Sequence, residues 1–240
     1  MLQSHRAARA TAPVRDEILY YCRESVRAGL NFNTQGNISV RLSDEAVVIT
    51  PSGVRYDLMA PEDLVVVDLD GNVLEGSMLP STELPVHLAH YRRRPEVQAI
   101  VHTESTFVNV LGVLGRTIDP VLLNMVLYAK GPVPVMPFEF STHADFGRRS
   151  ADLMGDDVNA VVWANHGLLA VGTTLELAFK VAVAVEENAE VLHHASIAGV
   201  PNVLVYAMQY RHGEALARDA GLVTTILCVP VLLVVAGTLG

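Results

Sequence analysis

Short runs of β-branched and apolar residues recur along this chain: ISVRL at 38–42, AVVIT at 46–50, DLVVVDL at 63–69, VQAIVHT at 97–103 and AVVWAN at 160–165. None is long enough for a stable helix, and turn residues flank them, as in the DLDGN segment at 68–72; such runs are strands. Between them the apolar spacing changes to that of helices. Ile18, Leu19, Cys22 and Val26 share one face of a helix over 13–29 that closes at Gly29. Leu84, His87, Leu88 and Tyr91 do the same over 82–94, and 105–115, 142–154 and Thr174 to about 198 read as further helices. VPVMPF at 133–138 reads as one more extended piece. A chain patterned in this way has to fold as a mixed α/β protein.

No repeat, low-complexity tract or Pro/Gly/Ser linker divides the 240 residues, so one domain is expected over 1–220. Residues 221–240, GLVTTILCVPVLLVVAGTLG, stand apart because they carry no charge. Pro230 at the centre, three threonines and the lack of a following basic flank argue for a buried or subunit-interface segment rather than a membrane span. The N-terminal stretch lacks the apolar core of a secretory signal. Cys22 and Cys228 form no CxxC or disulfide framework, which fits a reducing cytoplasm. The net charge of −9 supplies no basic stripe for phosphate backbones, so no nucleic-acid partner is expected. The Arg92–Arg93–Arg94 cluster reads as a helix C-terminus complementing its dipole.

Three groups of residues carry the chemistry. Glu83, His87 and His90 lie on one helical face. His102 and Glu104 sit two apart at a strand end and point to one side, which is either half a metal site or an ordinary polar strand terminus. His166 follows AVVWAN. Besides these, three small turns adjoin strands or open a helix: Thr34–Gln35–Gly36–Asn37, Thr50–Pro51–Ser52–Gly53 and Pro80–Ser81–Thr82–Glu83. Each is an ordinary loop or a phosphate cradle of free N–H groups and hydroxyls. No Walker motif or GxGxxG is present, so nothing supports nucleotide binding.

Taken in order, GNIS (36–39), ITPSG (49–53), PSTELPVHLAHYRRRPEVQAIVHT (80–103) and ANHGLLA (164–170) resemble the class II aldolase/adducin family over about 13–203. The resemblance implies a three-layer α/β/α fold around a mainly antiparallel sheet. It also implies a cyclic homotetramer with interfacial active sites and a divalent metal, zinc first, with manganese or cobalt as alternatives. By matching motif, Thr34, Gly36, Asn37, Ser52, Gly53, Ser81 and Thr82 would bind a substrate phosphate, Glu83 would be the catalytic carboxylate, and His102 and His166 would ligate the metal. The family has His-x-His where this chain has His102 and Glu104, so Glu104 is the expected third ligand. A tyrosine acid of the fuculose enzyme falls near Phe138, which cannot replace it. The implied function is a metal-dependent lyase that cleaves a small phosphorylated ketose through a metal-stabilised enediolate. A sugar-phosphate 4-epimerase, a sugar-acid phosphate decarboxylase and a non-catalytic adducin-like assembly domain are the alternatives on the same scaffold.

Overall fold

The β-branched runs do form strands in the computed structural model of the chain, which describes residues 2–143 and 145–197, the side chains from 12 onward. The expected tail at 221–240 and Cys228 lie outside the described residues. In chain order the elements are α1 (Leu2–Arg27), β1 (Asn37–Arg41), β2 (Ala46–Ile49), β3 (Val65–Asp68), β4 (Val73–Glu75), α2 (Leu84–Arg93), β5 (Ala99–Thr103), α3 (Thr106–Val113), α4 (Leu123–Tyr128), β6 (Val135–Met136), α5 (Phe146–Met154), β7 (Ala160–Trp163), β8 (Gly167–Gly172) and α6 (Leu175–Ile197). The helix expected from residue 13 begins at Leu2 instead, since the alanine-rich stretch before Pro13 is a good helix former.

The strands make one sheet in the order β4-β3-β2-β1-β5-β8-β7-β6. Every pairing is antiparallel except β6 with β7. Side chains alternate between two cores, one on each face of the sheet. Ile38, Val48, Val101, Val162 and Leu168 face α1, α3, α4 and α6 through Ile18, Val108, Met125 and Val181. Val47, Ile49, Ile100, Val161 and Leu169 face α2 and α5 through Leu84, Leu88, Phe146 and Met154. This is the expected three-layer arrangement, with a sheet that is mostly antiparallel.

At its centre, β5 is buried along its whole length and bonded on both edges, to β1 and β8. Its last two positions, His102 and Thr103, are thus held by two neighbouring strands. Of the basic cluster, Arg93 pairs with Asp156 at 2.7 Å, and Arg94, only 5% exposed, donates to the Val158 carbonyl at 2.7 Å. Both bonds tie the end of α2 to the segment that leads into β7. Among the described residues no helix is long and apolar enough to cross a membrane.

Candidate metal centre and active site

Three chain segments converge on the α2/α5 side of the sheet at the end of β5. His102 lies in register with Asn37 of β1 and Leu169 of β8. Its Nδ1–H donates to the Leu168 carbonyl at 2.9 Å. That bond fixes the tautomer and leaves the Nε2 lone pair free, and Nε2 is buried with no hydrogen-bond partner. His166 lies in the tight turn between β7 and β8 rather than at a strand end, where Asn165 adopts a positive φ of 60°. Gly167 has to follow it: a Cβ there would run into the Thr103 carbonyl and come within 3.1 Å of the His102 ring. Glu83 is the residue that caps α2, yet its side chain makes no capping bond. The hydroxyl of Ser81 accepts the Glu83 N–H at 3.2 Å instead. The carboxylate is therefore free to face inward.

It faces the two histidines. Glu83 Oε2 lies 3.2 Å from His102 Nε2, and Oε1 lies 3.2 Å from His166 Nε2. Glu83, His102 and His166 each offer a ligand atom, and these atoms all lie within 4.8 Å of one another. An orphaned, buried imidazole nitrogen beside a carboxylate and a second imidazole is a donor set that suits a divalent metal. The Trp163 ring backs both histidines, at 4.8 Å from His102 and 5.2 Å from His166. Its own indole N–H is anchored on Ser150 Oγ at 2.8 Å.

The charges follow from burial and neighbours. Burial disfavours the Glu83 anion, but His102, His166 and the Asn37 amide outweigh it and hold the carboxyl well below its usual range. Burial pushes His102 down, more than the nearby Glu83 charge pulls it up. For His166 the balance reverses: burial opposes the charged ring, yet the bond to Glu83 and its charge raise it.

The remaining expected residues fall in two groups. Glu104, the expected third ligand, lies outside the cluster of ligand atoms. Its Oε1 accepts the Gly36 N–H at 3.4 Å, and its own N–H donates to Asn31 Oδ1 at 3.0 Å. The three turns do come together, stapled by Thr50: its hydroxyl accepts from Ile38 N at 3.2 Å, its carbonyl accepts from Ser81 N at 3.1 Å, and Pro51 bridges Pro80. Thr34, Ser52, Gly53 and Thr82 are exposed along this seam, whereas Ser81 and Asn37 are buried. Gly36, at φ 71°, presses its backbone against the strand end; a Cβ there would lie 2.5 Å from the His102 carbonyl and the Asn31 amide. The Asn37 amide is turned away from the turns: its Nδ2–H donates to Glu83 at 2.9 Å and its Oδ1 meets His87 Nε2 at 2.6 Å.

His87 and His90, the other histidines of α2, are fully buried, and neither joins the ligand cluster. The sequence places Thr50 in a candidate turn but marks neither Asn31 nor Trp163 as part of the site. Asn31 lies five residues before the recognisable GNIS motif and Trp163 directly precedes ANHGLLA, so proximity to a motif was the one available signal.

Comparison with known proteins bears on this arrangement directly. Residues 16–193 match the Class II Aldolase and Adducin N-terminal domain. The chain belongs to the class II aldolase/adducin family. It is 36% identical over 195 residues to the 5-deoxy-D-ribulose 1-phosphate aldolase of Bacillus thuringiensis, spanning 79% of this chain and 89% of that protein. It is 35% identical over 179 residues to the L-fuculose phosphate aldolase of Escherichia coli, spanning 72% of this chain and 80% of that one. A solved L-fuculose 1-phosphate aldolase superposes with a TM-score of 0.74 at 31% identity, covering 83% of this chain and 95% of that structure. The protein is accordingly a class II aldolase, a lyase that works with a divalent metal.

Proposed function

We propose that this class II aldolase cleaves a small ketose 1-phosphate by a retro-aldol reaction. The bond between C3 and C4 breaks, giving dihydroxyacetone phosphate and an aldehyde. The C4 hydroxyl loses a proton, and C3 of the released ketone gains one. The observation that carries this reading is the approach of both Glu83 oxygens to the Nε2 atoms of His102 and His166, each at 3.2 Å. An ionised carboxylate held beside two imidazoles can accept and return a proton, and Glu83 fills that role.

His102, His166 and Glu83 would hold the metal, and zinc suits two imidazoles and one carboxylate. When bound, the ion supplies the positive charge that offsets the negative charge developing at C3 and the C2 carbonyl oxygen. Glu104 keeps a further negative charge beside the site where the family pattern has an imidazole, which improves the competition of oxygen-preferring ions such as Mn²⁺. The phosphate is received along the Thr50 seam, where Thr34, Ser52 and Thr82 offer hydroxyls on exposed residues and Gly53 an exposed backbone. Binding there is remote from the bond that breaks and serves to orient it. A homotetramer is part of the same reading, supported by exposed apolar side chains between Val113 and Phe140.

The test is elemental analysis of the purified protein, followed by assay of the metal-loaded enzyme on 5-deoxyribulose 1-phosphate and fuculose 1-phosphate. About one divalent ion per subunit and release of dihydroxyacetone phosphate from at least one ketose are expected. Glu83→Gln should lower kcat by about 100-fold or more. Protein that takes up no metal, or product that is an epimer rather than two fragments, sinks the proposal.

A further inference from the structure

A single file of buried polar side chains runs from α2 through β1 to the active-site carboxylate. Tyr91 Oη lies 2.9 Å from Ser39 Oγ, Ser39 Oγ lies 2.7 Å from His87 Nδ1, His87 Nε2 lies 2.6 Å from Asn37 Oδ1, and Asn37 Nδ2 lies 2.9 Å from Glu83 Oε2. His87 and Ser39 are fully buried, and Tyr91 is 1% exposed. These groups bond to one another along the file, so the position of one proton fixes the next.

The assignment runs backward from Glu83. Its ionised carboxylate can only accept, so the Asn37 NH₂ group must face it. Asn37 Oδ1 then faces His87, so His87 Nε2 must carry a hydrogen. A neutral ring with its hydrogen on Nε2 has a bare Nδ1, which meets Ser39 Oγ at 2.7 Å. Nδ1 therefore accepts the Ser39 hydroxyl proton, and Ser39 Oγ accepts the phenol proton of Tyr91, which burial holds in place. Every donor in the file points toward the carboxylate.

We propose that His87 is a positioning residue for Glu83: by donating Nε2–H to Asn37 Oδ1 it fixes which end of the Asn37 amide meets the carboxylate, and so holds Glu83 in its reactive orientation. Without that donor the Asn37 carbonyl is left unpaired, and the amide loses one of the two bonds that hold it against the Glu83 carboxylate. His87 itself touches neither the substrate nor the ligand atoms. This inference rests on the reading of Glu83 as the proton carrier. It also accounts for a histidine that the sequence places on the same face as Glu83 and that the ligand cluster leaves unused.

The experiment compares His87→Met with His87→Gln in the metal-loaded enzyme acting on 5-deoxyribulose 1-phosphate. Methionine fills the space without a donor, whereas the glutamine NH₂ can serve the same Asn37 oxygen. His87→Met should lower kcat by about 10- to 100-fold, with KM within about twofold and metal content by elemental analysis unchanged. His87→Gln should recover at least about fivefold of that loss, which a merely structural role would not produce. Wild-type kcat in His87→Met, no recovery in His87→Gln, or a loss confined to KM or to metal content overturns the proposal. Should His87→Met fail to fold, Ser39→Ala decides: it frees the ring to take the other tautomer, and an unchanged kcat refutes the file. Glu83→Gln in the same assay separates the two readings. If that variant is inactive while His87→Met is fully active, only the positioning role fails; if Glu83→Gln is itself fully active, the proton-carrier reading fails.

Discussion

Single residues decide which histidines of this protein are chemical and which are structural. His102 has one nitrogen satisfied by a backbone carbonyl and the other left over, whereas His87 has both rings' nitrogens bonded to side chains. Sequence does not show these bonds: the family resemblance marks His102 as a ligand, while HLAH in α2 shares a face with Glu83 without carrying a ligand role. His90 is the third case, with Nε2 at 3.0 Å from Ser150 Oγ and burial that depresses it from 6.5 to about 3. The unfolded chain binds a proton on this ring near 6.5 and the folded chain does not, so the unfolded state carries the extra proton between about 3 and 6.5. Its contribution to stability is complete above 6.5 and is lost as pH falls through that window. Between pH 7 and pH 5 the loss from this one ring is expected to be about 1–2 kcal/mol. Urea denaturation of wild type and His90→Asn at the two pH values measures it; equal pH dependence in both would exclude His90 as the source.

Elements were legible where period and caps agreed and obscure where only the fold makes them. The strands at 46–49, 65–68, 99–103 and 160–163 stand where β-branched runs announce them. By contrast β8 reads GLLAVG, with two glycines and a single β-branched residue, and it exists because β5 and β7 both pair with it. The β4 strand and α4 likewise carry too little pattern of their own. The start of α3 is held from outside as well. Glu186 of α6 accepts the Ser105 hydroxyl at 2.7 Å, the Phe107 N–H at 2.9 Å and the Val108 N–H at 2.8 Å. One carboxylate thereby satisfies two of the open N–H groups of α3, directly after the strand that carries His102. Glu186→Ala should cost about 2 kcal/mol, and Glu186→Gln less, because the amide keeps one accepting oxygen. In a thermal melt that is a drop of about 4–8 °C for the alanine variant; an unchanged midpoint would show that α3 holds its own start.

Over the whole molecule, the order of motifs was enough to place the fold and to bring Glu83, His102 and His166 into one neighbourhood. It did not reveal which carboxylate would face the imidazoles. Glu83 and Glu104 both lie close to His102, and the choice turns on the backbone at Gly36, which gives Glu104 a different partner. The surface also carries information that the sequence pattern hides. Leu114, Leu123, Leu127, Phe138 and Phe140 are all more than half exposed, although Ile118, Met125, Ala129 and Val133 of the same stretch are buried in the core. Apolar residues so concentrated on one region mark an association surface. If the proposed tetramer forms through this surface, Leu123→Glu combined with Leu127→Glu should lower the mass found by light scattering toward that of a smaller species. A monomeric wild type, or a variant of unchanged mass, would rule this surface out.

The pairing of β5 with β8 has one more consequence, and it concerns the time at which the site comes into being. The His102 ring takes its orientation from the Leu168 carbonyl, and His166 stands in the turn that leads into the same strand. Contacts across such a sequence separation form late in folding. A nascent chain halted before residue 166 has Glu83 and His102 but lacks both His166 and the Leu168 carbonyl that orients the His102 ring, so the three-residue cluster is complete only once β8 has joined the sheet.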